Sequence, residues 1–326
     1  MRSVRVLGCL LIAALGACRE QEPGPDLVFV SNEETDVVDI VDGRSGRVEG
    51  QLSTGRRPRG LAFSPDGRIL YVAASEANRI EAWDPRGRRL LRSYAAGSDP
   101  ERFTLSPDGR TLFVANEDVA LVSRLDLASG SIAWQAEVGP EPEGIGLSPD
   151  GKLVVATAET SSTVHFLDAA TGQSLGTALV GSRPRDVLFV PMINEIWVSS
   201  EQRGTISVFD ATTFKAKATI DLVPEYPSLE NVQAVEMEVT RDGTRAFVAM
   251  GRSNQVAEID PRTHEVVRSF PAGFRTWGVD LAPDESRLYA ASGLSGELTI
   301  VDLVENEVAD TVELGGKPWT AEAVTR

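Results

Sequence analysis

Short apolar runs separated by polar turns recur along this chain in a fixed order. Residues 59–64 read as a strand that ends in Ser64-Pro65-Asp66-Gly67. In that turn proline presets φ, aspartate bonds the local backbone and glycine accepts a positive φ. "ILYVAA" at 69–74 is nearly all apolar, which predicts a strand covered on both faces. "RIEAWD" at 79–84 reads as a third strand, and the more polar "RLLRSY" at 89–94 as an outer fourth. The pattern of "LAFSPDGRILYVAASEANRIEAWD" (61–84) then returns as "FTLSPDGRTLFVANEDVALVSRLD" (103–126) and "IGLSPDGKLVVATAETSSTVHFLD" (145–168). Degenerate copies occupy 187–210 and 237–260, and a last full copy 279–302.

The copies end at Asp42, Asp84, Asp126, Asp168, Asp210, Asp260 and Asp302, with successive gaps of 42, 42, 42, 42, 50 and 42 residues. Four strand signals per period of about 40–45 residues are the signature of propeller blades. The chain starts with strands two to four of a blade ("LVFVSN", "DVVDIVD", "RVEGQL") and ends with a lone first strand after Pro318. Together they complete one blade, and closing the ring removes exposed sheet edges. The prediction is an all-β fold, a seven-bladed propeller of four-stranded blades over 27–326, closed by pairing of the two chain ends. The repeated aspartates are turn formers rather than catalysts. Asp42, Asp126 and Asp168 precede Ser or Thr by three residues and Gly by four, a spacing that lets the carboxylate accept backbone N–H groups.

The first 26 residues differ in kind. "MRSVRVLGCLLIAALGAC" has two arginines and then 12 apolar or small residues before Cys18, too few to span a bilayer. Leu15-Gly16-Ala17-Cys18 resembles the bacterial lipobox, which implies a signal peptide over 1–17, lipidation at Cys18 and a polar tether over 18–26. Arg19 after the cysteine implies, by the same resemblance, a periplasmic lipoprotein held at the outer membrane. Cys9 falls in the removed segment, so no disulfide framework is expected. Removing Arg2 and Arg5 takes the formal charge from −16 to −18, an excess that repels phosphate backbones and argues against nucleic acid. The chain has two histidines, which disfavours a soft metal site. Both have structural readings. His264 falls at a turn position elsewhere held by Gly46, Gly130 and Gly172, and His165 sits on a third strand.

Candidate chemistry concentrates at the corner that leads into each innermost strand. The residue after its proline is Arg59, Glu101, Glu143 and Arg185, then by alignment Val235, Trp277 and Trp319. Two readings compete. The charges pair with one another and the tryptophans cap the core, or the corners form a cup in which Trp277 and Trp319 stack a planar ligand and Arg59 and Arg185 pair its carboxylates. The one long gap inserts eight residues around "VPEYPSLENVQA", with Tyr226, Glu230, Asn231 and Gln233 as contacts over the mouth. A second ring, Glu33, Glu117, Glu159 and Glu201 with Glu76 one place off, follows the second strands. It reads as solvated loop charge, or as a site for a cation or basic partner.

"LSPDGRTLFVANEDVALVSRLD" resembles the YVTN-type propeller repeat. A narrower resemblance rests on the order of "RPRGLAFSPDG", "DPERFTLSPDG", "EPEGIGLSPDG", "STVHFLDAATG", "WVSSEQRGTISVFD" and "ENVQAVEMEVT". These are similar to the propeller family associated with PQQ-dependent alcohol catabolism, from which the chain departs at Ala234, where that family has proline. The resemblance implies a place in a periplasmic system that oxidises alcohols with PQQ enzymes, with a PQQ-dependent dehydrogenase or transport component as partner; the preferred reading of the residues is a non-catalytic accessory protein, with PQQ as a candidate ligand. It is expected to be monomeric and to touch the membrane only through its lipid. The alternatives are a lactonase-like hydrolase, with Glu101 or Glu143 as acid/base and Arg185 stabilising an oxyanion, and a protein-interaction scaffold.

Overall fold

The computed structural model describes residues 26–224 and 231–326 of the chain. The expected signal peptide, Cys18 and the tether up to Pro25 lie outside the described residues, as do Tyr226 and Glu230 of the insertion. Each repeat folds as its pattern predicts. In the first complete one the strands are Pro58–Phe63, Leu70–Ala74, Arg79–Asp84 and Arg89–Ala95. Leu70–Ala74 is buried throughout, whereas Arg89–Ala95 exposes every residue but Tyr94. Seven such four-stranded antiparallel sheets are present.

We number the blades by their innermost strands: Pro58–Phe63 (blade 1), Pro100–Leu105 (2), Ile145–Leu147 (3), Pro184–Val190 (4), Met237–Val239 (5), Thr276–Leu281 (6) and Pro318–Thr325 (7). Blade 7 is the closure. Its inner strand pairs with Asp26–Asn32 in the register Val28↔Ala323 and Val30↔Ala321, so the two ends of the chain share one sheet. The core lies between blades. Tyr71 and Ile80 of blade 1 pack with Phe103, Leu112 and Leu125 of blade 2, and Val28 and Val41 of blade 7 pack with Tyr289 and Ile300 of blade 6. A blade alone leaves both faces uncovered, so the ring is one cooperative unit.

The turns behave as local chemistry demands. The Asp168 carboxylate accepts the Ala170 and Thr171 N–H groups and the Thr171 hydroxyl (3.1, 2.8 and 2.7 Å), and Asp42, Asp126 and Asp210 make the same turn. His264 has φ +62°, as its place at a glycine position requires. At 190–195, where the Ser-Pro-Asp-Gly turn is missing, a short 3-10 turn over Pro191–Ile193 with Asn194 in the left-handed region serves instead. Glycine on the innermost strands has a separate role. A Cβ at Gly144 would lie 2.7 Å from the Arg185 carbonyl oxygen, so blades 3 and 4 touch backbone to backbone there.

Candidate functional site

One backbone hydrogen bond, repeated from blade to blade, assembles the mouth of the central channel. The N–H just after a second strand donates to the carbonyl of the residue before the corner. Glu117 donates to Asp99 (3.0 Å), Glu159 to Glu141 (2.9 Å), Glu201 to Arg183 (2.9 Å), Gly293 to Arg275 (3.1 Å) and, across the closure, Glu33 to Lys317 (3.1 Å). The corner residues and the second ring of glutamates are thereby one constellation. Arg57, Asp99, Glu141, Arg183 and Arg275 hold φ between +44° and +59° at these corners. That region costs a non-glycine residue roughly 1 kcal/mol, so the corners carry charge where glycine would be less strained.

Bulges at the start of the innermost strands aim the next residues inward. Pro58 pairs with Ala74 and Leu61 with Val72, leaving Arg59 and Gly60 outside the ladder. Glu101 and Arg102 drop out in the same way, as do Arg185 and Asp186. Arg59 then meets Glu33 (3.0 Å) and Glu101, and Arg185 meets Glu143, Glu159 (2.8 Å) and Glu201 (2.6 Å). Arg183 adds Glu159 (2.5 Å), and Arg57 lies 3.4 Å from Glu101. Glu33, Glu159 and Glu201 are therefore neither free loop charges nor an open cation site; they complete the arginine pairs. Glu76 stands apart, exposed beside Arg56. Glu101 is fully buried, and burial pushes its carboxyl up to about 7 against the attraction of Arg59.

The tryptophans are placed at the mouth but differ from the expected open platform. Trp277 and Trp319 are only 5 % and 4 % exposed. Arg185 and Arg275 lie over the Trp277 ring (5.0 and 4.5 Å), and Arg59 and Arg102 over Trp319 (5.1 and 4.8 Å). A ligand meets guanidinium groups before it meets a ring. Gln233, from the insertion, is buried, donates to Glu201 (3.0 Å) and accepts from the Arg252 N–H (2.8 Å). Trp277, Trp319, Glu143 and the arginines surround a cavity of about 210 Å³. A larger trough of about 900 Å³ runs past the Ser64–Arg68 turn, but its Asp66 and Arg68 are solvated, so the mouth is the better candidate.

Below the mouth lies a belt that reading only the residue after the proline missed. Arg102 of blade 2 crosses the axis to Asp186 of blade 4 (3.3 Å) and Glu236 of blade 5 (2.7 Å). These acids also bind the next blades. Asp186 accepts the Met237 N–H (2.8 Å), Glu236 accepts the Thr320 hydroxyl (2.8 Å) and the Val279 N–H (3.1 Å), and Asp280 accepts the Ala323 N–H (2.6 Å). Inner-strand donors that have no partner strand on the channel side are satisfied in this way. Glu238, Asp280 and Glu322 hold equivalent places on blades 5, 6 and 7. Burial raises all three carboxyls, Asp280 to about 7, and mutual repulsion raises Glu238 and Glu322 further. The available signal was the alternation in "VEMEV", which puts Glu236 and Glu238 on one face of their strand.

A family model for YNCE-like beta-propellers matches residues 20–250. No curated protein matches the chain. Among solved structures, the chain is similar to a protein described as Kuenenia stuttgartiensis hydrazine synthase. The two share 21 % identity and a TM-score of 0.75, covering 89 % of this chain and 99 % of that one. A Bacteroides fragilis protein provisionally described as a 6-phosphogluconolactonase shares 17 % identity with a TM-score of 0.74, over 92 % and 98 % of the two chains. A Desulfotomaculum acetoxidans protein of unknown function shares 14 % identity with a TM-score of 0.78, over 91 % and 98 %. Likeness at these identities shows the fold alone.

Proposed function

The chain belongs to the YNCE-like beta-propeller family, and from that premise and the geometry of the mouth we propose that it is a non-catalytic binding propeller. In this reading it is lipid-anchored at Cys18 on the periplasmic side and serves PQQ-dependent alcohol oxidation by binding a small molecule at the channel mouth. The order-specific corner sequences support the pathway, and the observation that carries the binding role is the charged cavity itself. Sites for drug-sized ligands occupy about 300–1,000 Å³. At about 210 Å³ this one suits something smaller than the tricyclic, triply charged PQQ, such as a substrate or product of the oxidation.

The lactonase-like alternative draws on the fold of the Bacteroides neighbour. Catalysis by Glu101 or Glu143 requires a carboxylate that can reach substrate. Glu101 is fully buried beneath Arg59, and Glu143 is held by Arg185, which favours binding over turnover. Titration of the purified protein with PQQ and with short alcohols, aldehydes and acids, following tryptophan emission, tests the proposal. Saturable binding of a member of that panel is expected, with no hydrolysis of aryl esters or lactones. No binding by any of them, or ester turnover lost in Glu143→Gln, would sink it.

A further inference from the structure

Arg275 differs from every other arginine of the mouth. Its guanidinium stacks on Trp277 at 4.5 Å, its buried Nε has no hydrogen-bond partner, and no carboxylate among the described residues lies within ion-pair distance. The reason is visible in the repeat. Arg183 pairs with Glu201, which follows the second strand of its own blade, and with Glu159, which does so in the preceding blade. For Arg275 those two places are Gly293 and Gly251. Gln233 covers Gly251, but Gly293 lines the cavity, and a Cβ there would meet only the Pro318 carbonyl oxygen, at 3.2 Å. A half-buried guanidinium thus faces a space where blades 2, 3, 4 and 7 carry a glutamate.

We propose that the mouth takes a small monocarboxylate, whose carboxylate docks on Arg275 in the place the protein's own glutamates occupy beside Arg183 and Arg185. The inference rests on the binding role proposed above and names its ligand class. Leaving the buried Nε of Arg275 without an acceptor is costly, and a ligand that supplies the missing acceptor removes that cost. Burial lowers the proton affinity of Arg275, and nearby Arg252 and Arg59 lower it further, while Glu201 and Glu33 act against them from beyond ion-pair distance. A single negative charge fits better than several. The cavity walls hold six cationic side chains (Arg57, Arg59, Arg183, Arg185, Arg275, Lys317) and four glutamates, and Glu101 and Glu201 pair with two of the arginines. Of the six acids, Glu33, Glu101, Glu143, Glu159 and Glu201 are paired with other arginines, which leaves Arg275 short of a partner.

The experiment is calorimetric titration with propionate and butyrate, with propionamide and 1-propanol as neutral controls and citrate as a trianion. Saturable, salt-sensitive binding of the monocarboxylates is expected, with the neutral compounds and citrate at least about tenfold weaker. Arg275→Gln should weaken propionate by about tenfold or more, with Arg275→Lys between it and the wild type. Gly293→Glu should supply the carboxylate internally, abolish propionate binding and raise the melting temperature, which separates loss of the site from loss of the fold. Propionate binding unchanged in Arg275→Gln, or no binding to the wild type, overturns the assignment. If alcohols or PQQ bind the wild type while carboxylates do not, the binding role survives and the carboxylate does not.

Discussion

Replacing Arg102 by methionine tests whether the axial belt holds the ring together. Among the described residues Arg102 is the one cation paired with both Asp186 and Glu236, and it reaches them across the channel from blade 2. Methionine keeps much of the stem that packs near Trp319 but leaves two acids facing Glu238, Asp280 and Glu322 without a counter-charge. Breaking a buried pair from one side costs about 3–5 kcal/mol, most of it the burden of the orphaned charge. In a domain of this size that lowers the melting temperature by roughly 5–8 °C. The deficit depends on pH in a fixed direction. Burial already raises the Glu236 carboxyl, and removing Arg102, which pulls it down, raises it further. A folded-state pKa raised above the unfolded value favours the fold below the unfolded pKa, and that advantage is lost as pH rises through the folded pKa. The variant should therefore be closest to the wild type near pH 5 and furthest from it at pH 8. Urea unfolding at both values reads this out, and Arg102→Met with Glu236→Gln should recover most of the loss. A deficit below about 1 kcal/mol, or one equal at both pH values, would refute the view that this guanidinium neutralises the channel.

The Asp280 carboxyl is raised to about 7 from an ordinary value of 3.8, so the intact protein should lose stability as pH rises between those values. Asp280→Asn should narrow the difference between urea midpoints at pH 5 and pH 8, mainly by stabilising the protein at pH 8. Gly144→Ala drives a Cβ to 2.7 Å from the Arg185 carbonyl oxygen and should cost about 1–3 kcal/mol by urea unfolding, because backbone cannot yield as a side chain does. Asp168→Ala removes three hydrogen bonds from one exposed turn; a loss of about 1 kcal/mol with unchanged ligand binding is expected by melting and titration, as befits a turn former.

What could be read from the residues divides by how far apart the partners lie. The Asp168 turn and the left-handed His264 are decided within four residues, where spacing and backbone preference are sufficient. The blade pairing is decided by a repeat, and the closing register Val28↔Ala323 follows because the only unpaired inner strand must meet the only incomplete sheet. The mouth is legible by half. The repeat places Arg59, Glu101, Glu143 and Arg185 at equivalent corners, but which acid meets which base depends on side chains reaching between neighbouring blades. Thus Glu33 and Glu159, which as loop residues look solvated, are the partners of Arg59 and Arg185. The belt is less legible still, since Arg102 pairs with residues two and three blades away and no period marks a contact across an axis. Yet the inequality of the blades is itself informative. Blades 2 and 3 put acids at all three mouth positions (Asp99, Glu101, Glu117; Glu141, Glu143, Glu159), and blades 1 and 4 flank them with arginine pairs. On that side every corner arginine has a carboxylate in reach. Blades 5 and 6 carry glycine at the acidic position, and among the described residues no carboxylate lies within ion-pair distance of Arg275. A ring built only for stability would gain from an acid at residue 293. Glycine there leaves an opening that a ligand's carboxylate can fill.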